Sequence, residues 1–308
     1  MRSDLDHLPA NKQRELARVL QLVFEEFEDG IALATHDWKK KGRILKVVLY
    51  GSYARGGWVD EPHTAKGYKS DYDLLVIVSD KRLTDRVKYW AKVDDRLMRE
   101  YGITGTLKTP VNLIVHTLQE VNDGLAHGRY FFMDIAKDGI ALYESDDTPL
   151  HTPKPKTPEA ALAMAKEYYE EWFPGALVYL NTSQDLAHQG RTKEPAFILH
   201  QSAERLYHCV LLVTTFYTPH VHNLAFLRTQ AERLDPRLVY VWPSDNHRHR
   251  ALFEKLKEAY VKTRYSKHYT ITAEELNWLG KQVEELGRVV QVICSERIAK
   301  LEADAPVG

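Results

Sequence analysis

The chain has 308 residues, a formal net charge of −1 at pH 7, 44% hydrophobic residues and 28% charged residues. This length is enough for two domains with separate cores, and the near-neutral charge argues against a protein whose whole surface attracts nucleic acid. The sequence has no long apolar run, so we expect neither a membrane span nor a signal peptide. The two cysteines, Cys209 and Cys294, lie in apolar helical segments, which predicts two buried thiols in a cytoplasmic protein.

The N-terminal half alternates short apolar runs with amphipathic segments, a pattern typical of a small mixed sheet backed by helices. The apolar runs predict strands at 44–50, 73–78, 110–116 and 140–143. The amphipathic segments predict helices at 11–34, 84–101, 118–124 and 130–137. Thr84 is a candidate N-cap for the second of these helices. We therefore predict an α+β fold for this half of the chain.

The composition changes after residue 144. Four prolines in the ten residues from Pro149 to Pro158 keep the backbone extended and disfavour a helix, so this segment is a predicted linker. The remaining sequence has helical periodicity at 158–181, where Pro174 should bend the helix, and at 195–217, 251–265 and 273–301. We predict an α+β domain at 1–150, a linker at 151–158 and an all-α bundle at 159–303.

Two neighbouring strand ends in the N-terminal half have the clearest chemistry. Gly51 and Ser52 follow the first strand, and Asp71 and Asp73 lie at the start of the second. Because strand side chains alternate, both carboxylates point to one face, where they repel each other unless a cation lies between them. Mg²⁺ accepts oxygen ligands from protein and from substrate phosphates together. Gly51 permits a tight turn whose amides and Ser52 hydroxyl could face a phosphate, and a helix near Tyr53 would add its dipole.

This arrangement resembles the nucleotidyltransferase superfamily that includes DNA polymerase beta, whose signature is Gly-Ser followed by Asp-x-Asp on the next strand. The run GSYARG at 51–56 also matches the GSxARG form of small bacterial members. The resemblance implies a nucleoside triphosphate bound with Mg²⁺ or Mn²⁺ and transfer of a nucleotidyl group. It implies that Asp71 and Asp73 are catalytic and hold the metal. It also implies that Gly51, Ser52 and Arg55 bind the nucleotide.

Two features depart from the pattern of that superfamily. The gap between Tyr53 and Ser70 is longer than usual, which indicates an inserted loop beside the site. The third carboxylate of the family, which faces the first two from a later strand, is replaced here by Asn112. An amide oxygen can bind a metal or a sugar hydroxyl, but it cannot accept a proton as a general base. The sequence leaves open whether the site catalyses transfer or only binds nucleotide.

The longest apolar helix predicted in the C-terminal half has a second polar group. His200, Glu204 and His208 are four residues apart, so they share one helix face, opposite the apolar face. Such a triplet could hold a metal, but a solvated or hydrogen-bonded stripe is the commoner structure. We favour the stripe over a metal site.

The C-terminal half resembles the HEPN domain, a bundle of four or five helices found beside minimal nucleotidyltransferases. The matching segments are FILHQSAERLY at 197–207, PHVHNLAFL at 219–227 and FEKLKEAYVKTRYSKHYTIT at 253–272. Many HEPN domains are dimeric, metal-independent ribonucleases that use an Arg and a His with four to six residues between them. Arg264 and His268 are separated by only three residues here. The resemblance implies a homodimer and a groove near Glu204, Arg264 and His268, with RNA as one possible partner.

Together, the two resemblances predict a polymerase-beta-like mixed sheet with helices, fused to an all-α HEPN bundle. The leading hypothesis is a Mg²⁺-dependent enzyme that transfers AMP from ATP to a hydroxyl of a small molecule or protein. A self-contained toxin–antitoxin protein is a specific version of it. The alternatives are a catalytically degenerate dimer that binds nucleotide and a HEPN ribonuclease acting through Arg264 and His268. An aminoglycoside-modifying enzyme ranks lower, because no obvious acidic cluster follows Pro158 at the expected place.

Overall fold

The computed structural model describes residues 1–32, 35–59, 70–145, 149–219, 221–243 and 247–305, and only the backbone of Tyr265. The chain divides into two compact units, Met1–Pro155 and Lys156–Gly308. The predicted fold class is confirmed, since the first unit contains a mixed sheet with helices and the second is helical. Most of the predicted inserted loop, residues 60–69, lies outside the described residues.

The first unit contains four strands and several helices among its described residues. In chain order they are α1 (Ala10–Ile31), α2 (Asp37–Lys40), β1 (Ile44–Tyr50), α3 (Gly51–Arg55), β2 (Tyr72–Val78), α4 (Ala91–Gly102), β3 (Val111–Thr117), α5 (Leu118–Ala126), α6 (Tyr130–Asp138) and β4 (Ile140–Glu144). A 3-10 turn at Lys81–Thr84 and a π-helical turn at Arg86–Trp90 lead into α4.

The strands form one sheet in the order β3-β2-β1-β4, in which β2 pairs parallel to β3 and antiparallel to β1. Strand β4 pairs antiparallel to β1. Alternate residues of β2, including Leu74 and Val76, join a core with residues of α1 and α4. The other set, including Leu75 and Ile77, is also buried, and α5 and α6 contact the strands. Asp73 belongs to this second set, so it points away from α1.

The predicted helix at 84–101 begins later than its sequence pattern indicates. The regular α-helix starts at Ala91, after the π-helical turn, and Asp85 rather than Thr84 caps that turn by accepting a hydrogen bond from the Lys88 N–H at 3.1 Å. The wider turn buries Trp90, whose indole N–H donates to the Leu83 carbonyl at 2.6 Å. Burial of one large aromatic ring thus accompanies the departure from regular helix.

The second unit consists of helices around a shared apolar core. They are α7 (Pro158–His188), α8 (Lys193–Thr215), α9 (Leu224–Glu232), α10 (His247–Tyr265) and α11 (Ala273–Asp304), with a 3-10 turn at Pro236–Val241. Cys209 and Cys294 are free and buried, as predicted. The pKa of the Cys294 thiol is raised by its hydrogen bond to Cys209 and by burial. No helix in the described part of the chain is apolar and long enough to span a membrane.

Helix α7 continues through Pro174 to His188, past the predicted end at residue 181. Proline lacks an N–H and leaves backbone carbonyls one turn earlier short of donors. Arg205 of α8 donates from Nη2 to the Glu171 carbonyl at 3.0 Å, and its guanidinium lies 4.8 Å from the Trp172 ring centroid. A side chain from the neighbouring helix thus supplies a donor beside the proline.

Candidate functional site

The parallel pairing of β2 and β3 places Asp73 beside Asn112 in register. Asn112 Nδ2 donates to Asp71 Oδ2 at 3.0 Å and to Asp73 Oδ1 at 3.3 Å. The two carboxylates therefore lie on one face, as strand alternation predicts. Asp73 is 0% exposed, while Asp71 and Asn112 are half-buried. The amide hydrogens of Asn112 lie between the two acidic side chains, where they offset part of the carboxylate repulsion.

The donor atoms at this position fit a small divalent cation. Carboxylate and amide oxygens are the hard ligands that Mg²⁺ and Mn²⁺ prefer, and a half-turn of the Asn112 amide would present Oδ1 in place of Nδ2. Ser52 Oγ is buried and has no hydrogen-bond partner among the described residues, so one oxygen remains for a ligand. Within those residues, no group of three or more His, Cys, Asp and Glu side chains could hold a metal ion. A cation here would depend on Asp71, Asp73, an amide oxygen and substrate oxygens.

The turn after β1 has the predicted conformation at Gly51, whose φ of +77° is one that side chains rarely adopt. Helix α3 starts at Gly51 itself, just before the predicted start near Tyr53, and has only five residues. One and a half turns add little dipole, because the macrodipole sums over aligned peptide units. The features of this turn that could face a ligand are therefore the conformation of Gly51 and the Ser52 hydroxyl.

Arg55 is exposed at the end of α3. Burial and the nearby Asp138 raise the pKa of Asp134 on α6, and the positive charge of Arg55 opposes that rise. Arg55 is therefore close enough to α6 to interact with its acidic side chains. Its role in binding nucleotide stays a prediction.

Aromatic side chains border the acidic residues. Tyr50 pairs with Asp73 across β1 and β2, and Phe131 of α6 packs edge-to-face on Tyr50 with ring centroids 5.5 Å apart. Phe131 is half-buried, whereas its neighbour Phe132 is 2% exposed and belongs to the core. The sequence did not predict the contact of Phe131 with Tyr50, because the pairing of strands does not determine where a later helix packs.

In the helical unit, His200, Glu204 and His208 share one face of α8, but the face is buried. The solvated alternative is wrong and the hydrogen-bonded one is confirmed. Glu204 Oε1 accepts from His222 Nδ1 at 3.0 Å, and Oε2 lies 3.3 Å from His200 Nε2. Burial raises the pKa of Glu204, but the hydrogen bonds from His200 and His222 outweigh it, so the pKa is lowered overall. The face is buried because residues from α10 and from the segment before α9 cover it.

Arg264 and His268 lie at the end of α10 and in the turn that follows, and both are exposed. Arg264 Nε donates to the Tyr260 carbonyl at 2.8 Å, and its guanidinium lies 4.4 Å from the Tyr260 ring centroid. The same ring stacks with His222 at 4.7 Å. The structure thus connects Arg264 to Glu204 through Tyr260 and His222. The predicted role of His268 in a groove stays a prediction.

The residue that sequence reasoning missed here is His222. Its side chain is 60% exposed, and a buried carboxylate, Glu204, holds its Nδ1. It lies in the segment PHVHNLAFL, which matched the HEPN pattern without singling out a histidine. Its distance from Glu204 depends on how the segment before α9 folds back on α8, which helical periodicity does not predict.

Comparisons with known proteins found one matching domain family, one curated relative and one solved structure that we report here. The HEPN domain family matches residues 169–293. A candidate protein adenylyltransferase of Methanocaldococcus jannaschii is 30% identical over 105 residues, which are 34% of this chain and 84% of that protein. A solved structure of a nucleotidyltransferase-like protein from Exiguobacterium sibiricum aligns with 90% of this chain and 77% of its own, at 13% identity and a TM-score of 0.27.

Proposed function

The chain belongs to the nucleotidyltransferases fused to a HEPN domain, and we propose that its first unit transfers AMP from ATP to a hydroxyl of a protein or small molecule. The observation that supports this most is the contact of Asn112 with both Asp71 and Asp73, which collects three oxygen-bearing side chains at one point. The name of the archaeal relative favours a protein acceptor.

In this proposal, Asp71 and Asp73 would hold Mg²⁺ or Mn²⁺ together with the Asn112 amide oxygen. A bound divalent cation would offset the charge that develops on the phosphates. Gly51 lets the backbone approach a phosphate, and the Ser52 hydroxyl donates to a phosphate oxygen. An acceptor hydroxyl would form a bond to the α-phosphorus while the bond to pyrophosphate breaks. Because Asn112 cannot accept the hydroxyl proton, that proton would pass to water or to a phosphate oxygen.

The proposal is tested by measuring transfer of label from α-³²P-labelled ATP in the presence of Mg²⁺ or Mn²⁺. The protein is assayed alone and with cell extract. We expect label on a protein or small molecule, and loss of that label in the double variant Asp71→Asn/Asp73→Asn. Asp95→Asn, an exposed carboxylate on α4, is the matched control. Saturable ATP binding without transfer would instead support a regulatory nucleotide-binding dimer. Label on the chain itself would favour the toxin–antitoxin version, and the mass in solution tests the proposed homodimer.

A second candidate function is RNA binding or cleavage by the helical unit. The observation that favours it is an exposed imidazole, His222, held by a buried carboxylate and joined to Arg264 through Tyr260. An imidazole beside a guanidinium can exchange protons and hold a phosphate. RNA cleavage that is lost in His222→Ala and Arg264→Ala but kept in His268→Ala would support this arrangement. Loss in Arg264→Ala and His268→Ala, with cleavage kept in His222→Ala, would support the pair predicted from sequence.

A further inference from the structure

A buried polar network lies on the opposite face of the sheet from Asp71 and Asp73. Its members come from three places in the chain: Lys12 and Glu15 of α1, Tyr72 of β2, and Thr109 before β3. Tyr72 and Thr109 are 0% exposed, Lys12 is 5% exposed and the Glu15 side chain is 9% exposed. Buried polar groups of this kind persist only when they are hydrogen-bonded and their charges are paired.

A single carboxylate, that of Glu15, connects the starts of two strands. Its Oε1 accepts hydrogen bonds from the backbone N–H of Thr109 at 2.8 Å and from that of Lys108. Its Oε2 accepts from Thr109 Oγ1 at 3.0 Å and from the Tyr72 hydroxyl at 2.9 Å. Tyr72 is the first residue of β2, and Thr109 precedes β3 by one residue, Pro110. Glu15 therefore links the start of β2 and the segment before β3 to α1 by hydrogen bonds.

The charge of Glu15 is balanced within the same network. Lys12 Nζ lies 3.7 Å from Glu15 Oε2, donates to Thr109 Oγ1 at 2.6 Å, and lies 5.8 Å from the Tyr72 ring centroid. Burial, and then the charge of Glu15, raise the pKa of Tyr72, so its hydroxyl stays a donor at any physiological pH. The network also reaches α3, because the Tyr53 ring lies 4.5 Å from that of Tyr72.

The members of this network alternate along the chain with the residues of the candidate site. Tyr72 lies between Asp71 and Asp73, Tyr53 follows Ser52, and Thr109 precedes Asn112 by three residues. Because side chains on a strand alternate, fixing Tyr72 against α1 turns both aspartates to the other face. Asp71 precedes the first residue of β2, so its position depends on how that residue is held.

We propose that Glu15 is a positioning residue for Asp71, Asp73 and Asn112. It acts through Tyr72 and Thr109, which set the distance of the two aspartates from Asn112. The activity readout of this inference rests on the proposed transferase function, but its metal-binding readout does not. Small displacements of ligands weaken metal binding even when the fold is kept.

The test compares Tyr72→Phe and Glu15→Gln with Tyr89→Phe, measuring Mn²⁺ binding by electron paramagnetic resonance and AMP transfer. Tyr89 is a matched control, since its ring is 3% exposed and its hydroxyl has no hydrogen-bond partner among the described residues. We expect Mn²⁺ dissociation constants to rise about tenfold in both test variants, the low end for outer-shell changes. We expect the Mn²⁺ dissociation constant of Tyr89→Phe to equal that of the wild type. The circular dichroism spectra of all three variants should be those of a folded protein.

Wild-type Mn²⁺ affinity in both Tyr72→Phe and Glu15→Gln would overturn the inference, as would a wild-type protein that binds no Mn²⁺. If Glu15→Gln does not fold, Tyr72→Phe decides alone, because it removes one hydroxyl and keeps the buried ring. A wild-type protein that transfers no label but shows the Mn²⁺ shift would contradict the proposed function and still support the positioning role.

Discussion

The two candidate sites of this chain bring their residues together in different ways. In the first unit, Asp73 and Asn112 meet because adjacent parallel strands pair in register. In the helical unit, Glu204 is held by His222, which lies outside α8 in the segment before α9. In paired strands, the spacing of residues along the sequence therefore predicts which side chains lie next to each other. Helical periodicity predicts only which residues share a face.

The sites also differ in how their acidic side chains are neutralised. Asp71 and Asp73 receive amide hydrogens from Asn112, a neutral side chain that leaves both negative charges in place. Glu204 lies against the imidazoles of His200 and His222. Burial raises its pKa, but the hydrogen bonds from these histidines lower it overall. We therefore expect the first site to respond chiefly to divalent cations and the second chiefly to pH.

The largest effect on stability is expected from Asn112→Asp. This change replaces two hydrogen bonds to carboxylates with a third negative charge, so without metal the free energy of unfolding should fall by about 3 kcal/mol. Mn²⁺ should restore most of that loss, and metal affinity should rise above wild type. Denaturant unfolding with and without Mn²⁺ measures both effects. Asn112→Ala is the control, since it removes the donor without adding charge and should show less rescue by Mn²⁺ than Asn112→Asp.

Glu204→Gln should lower the free energy of unfolding by about 2 kcal/mol at pH 7, because the buried His200 and the exposed His222 lose a charged acceptor. The pKa of Glu204 is lowered in the folded protein, so its contribution to stability is complete above the ordinary glutamate pKa and disappears as pH falls through the folded value. The cost of the substitution should therefore shrink between pH 6 and pH 3.

Urea unfolding at several pH values measures this, with Glu284→Gln as an exposed control on α11. A cost of Glu204→Gln that stays constant with pH would contradict the pairing of Glu204 with the histidines.

The smallest effect is expected at the turn after β1. Gly51→Ala places a Cβ on a residue with φ of +77°, which should cost about 1–2 kcal/mol and weaken ATP binding. Gly57→Ala is the control, because no atom lies within 4 Å of its added Cβ. Thermal unfolding and ATP titration of both variants measure the difference. Equal stability of the two variants would show that the turn tolerates a side chain.

Much of the first unit could be predicted because its signals are local. The bounds of β1, Ile44–Tyr50, match the prediction at both ends, since an apolar run ends at a glycine that turns the chain. The position of Asn112 opposite the aspartates was predicted from the resemblance to the nucleotidyltransferases, and the register of β2 and β3 confirms it. The π-helical turn before α4 could not be predicted, because it depends on how Trp90 fits beneath the chain at Leu83.

In the helical unit, periodicity predicted the long helices but not what covers the polar face of α8. That face is buried by residues more than ten positions away, among them His222 and Leu256, whose carbonyl accepts from His200 Nδ1 at 3.0 Å. Packing between helices depends on loop paths and side-chain volumes, and neither repeats along the sequence. Glu15 was missed for a similar reason, since its partners Tyr72 and Thr109 lie 57 and 94 residues away.

The most direct test of this account is the binding of ATP with Mn²⁺, measured by calorimetry in the wild-type protein, Asp73→Asn and Glu204→Gln. We predict that Asp73→Asn weakens metal-dependent ATP binding by more than about 100-fold, beyond the loss of an outer-shell partner. We predict that Glu204→Gln binds as the wild type does. Retention of ATP and Mn²⁺ by Asp73→Asn, with loss in Glu204→Gln, would place the nucleotide in the helical unit and contradict the account.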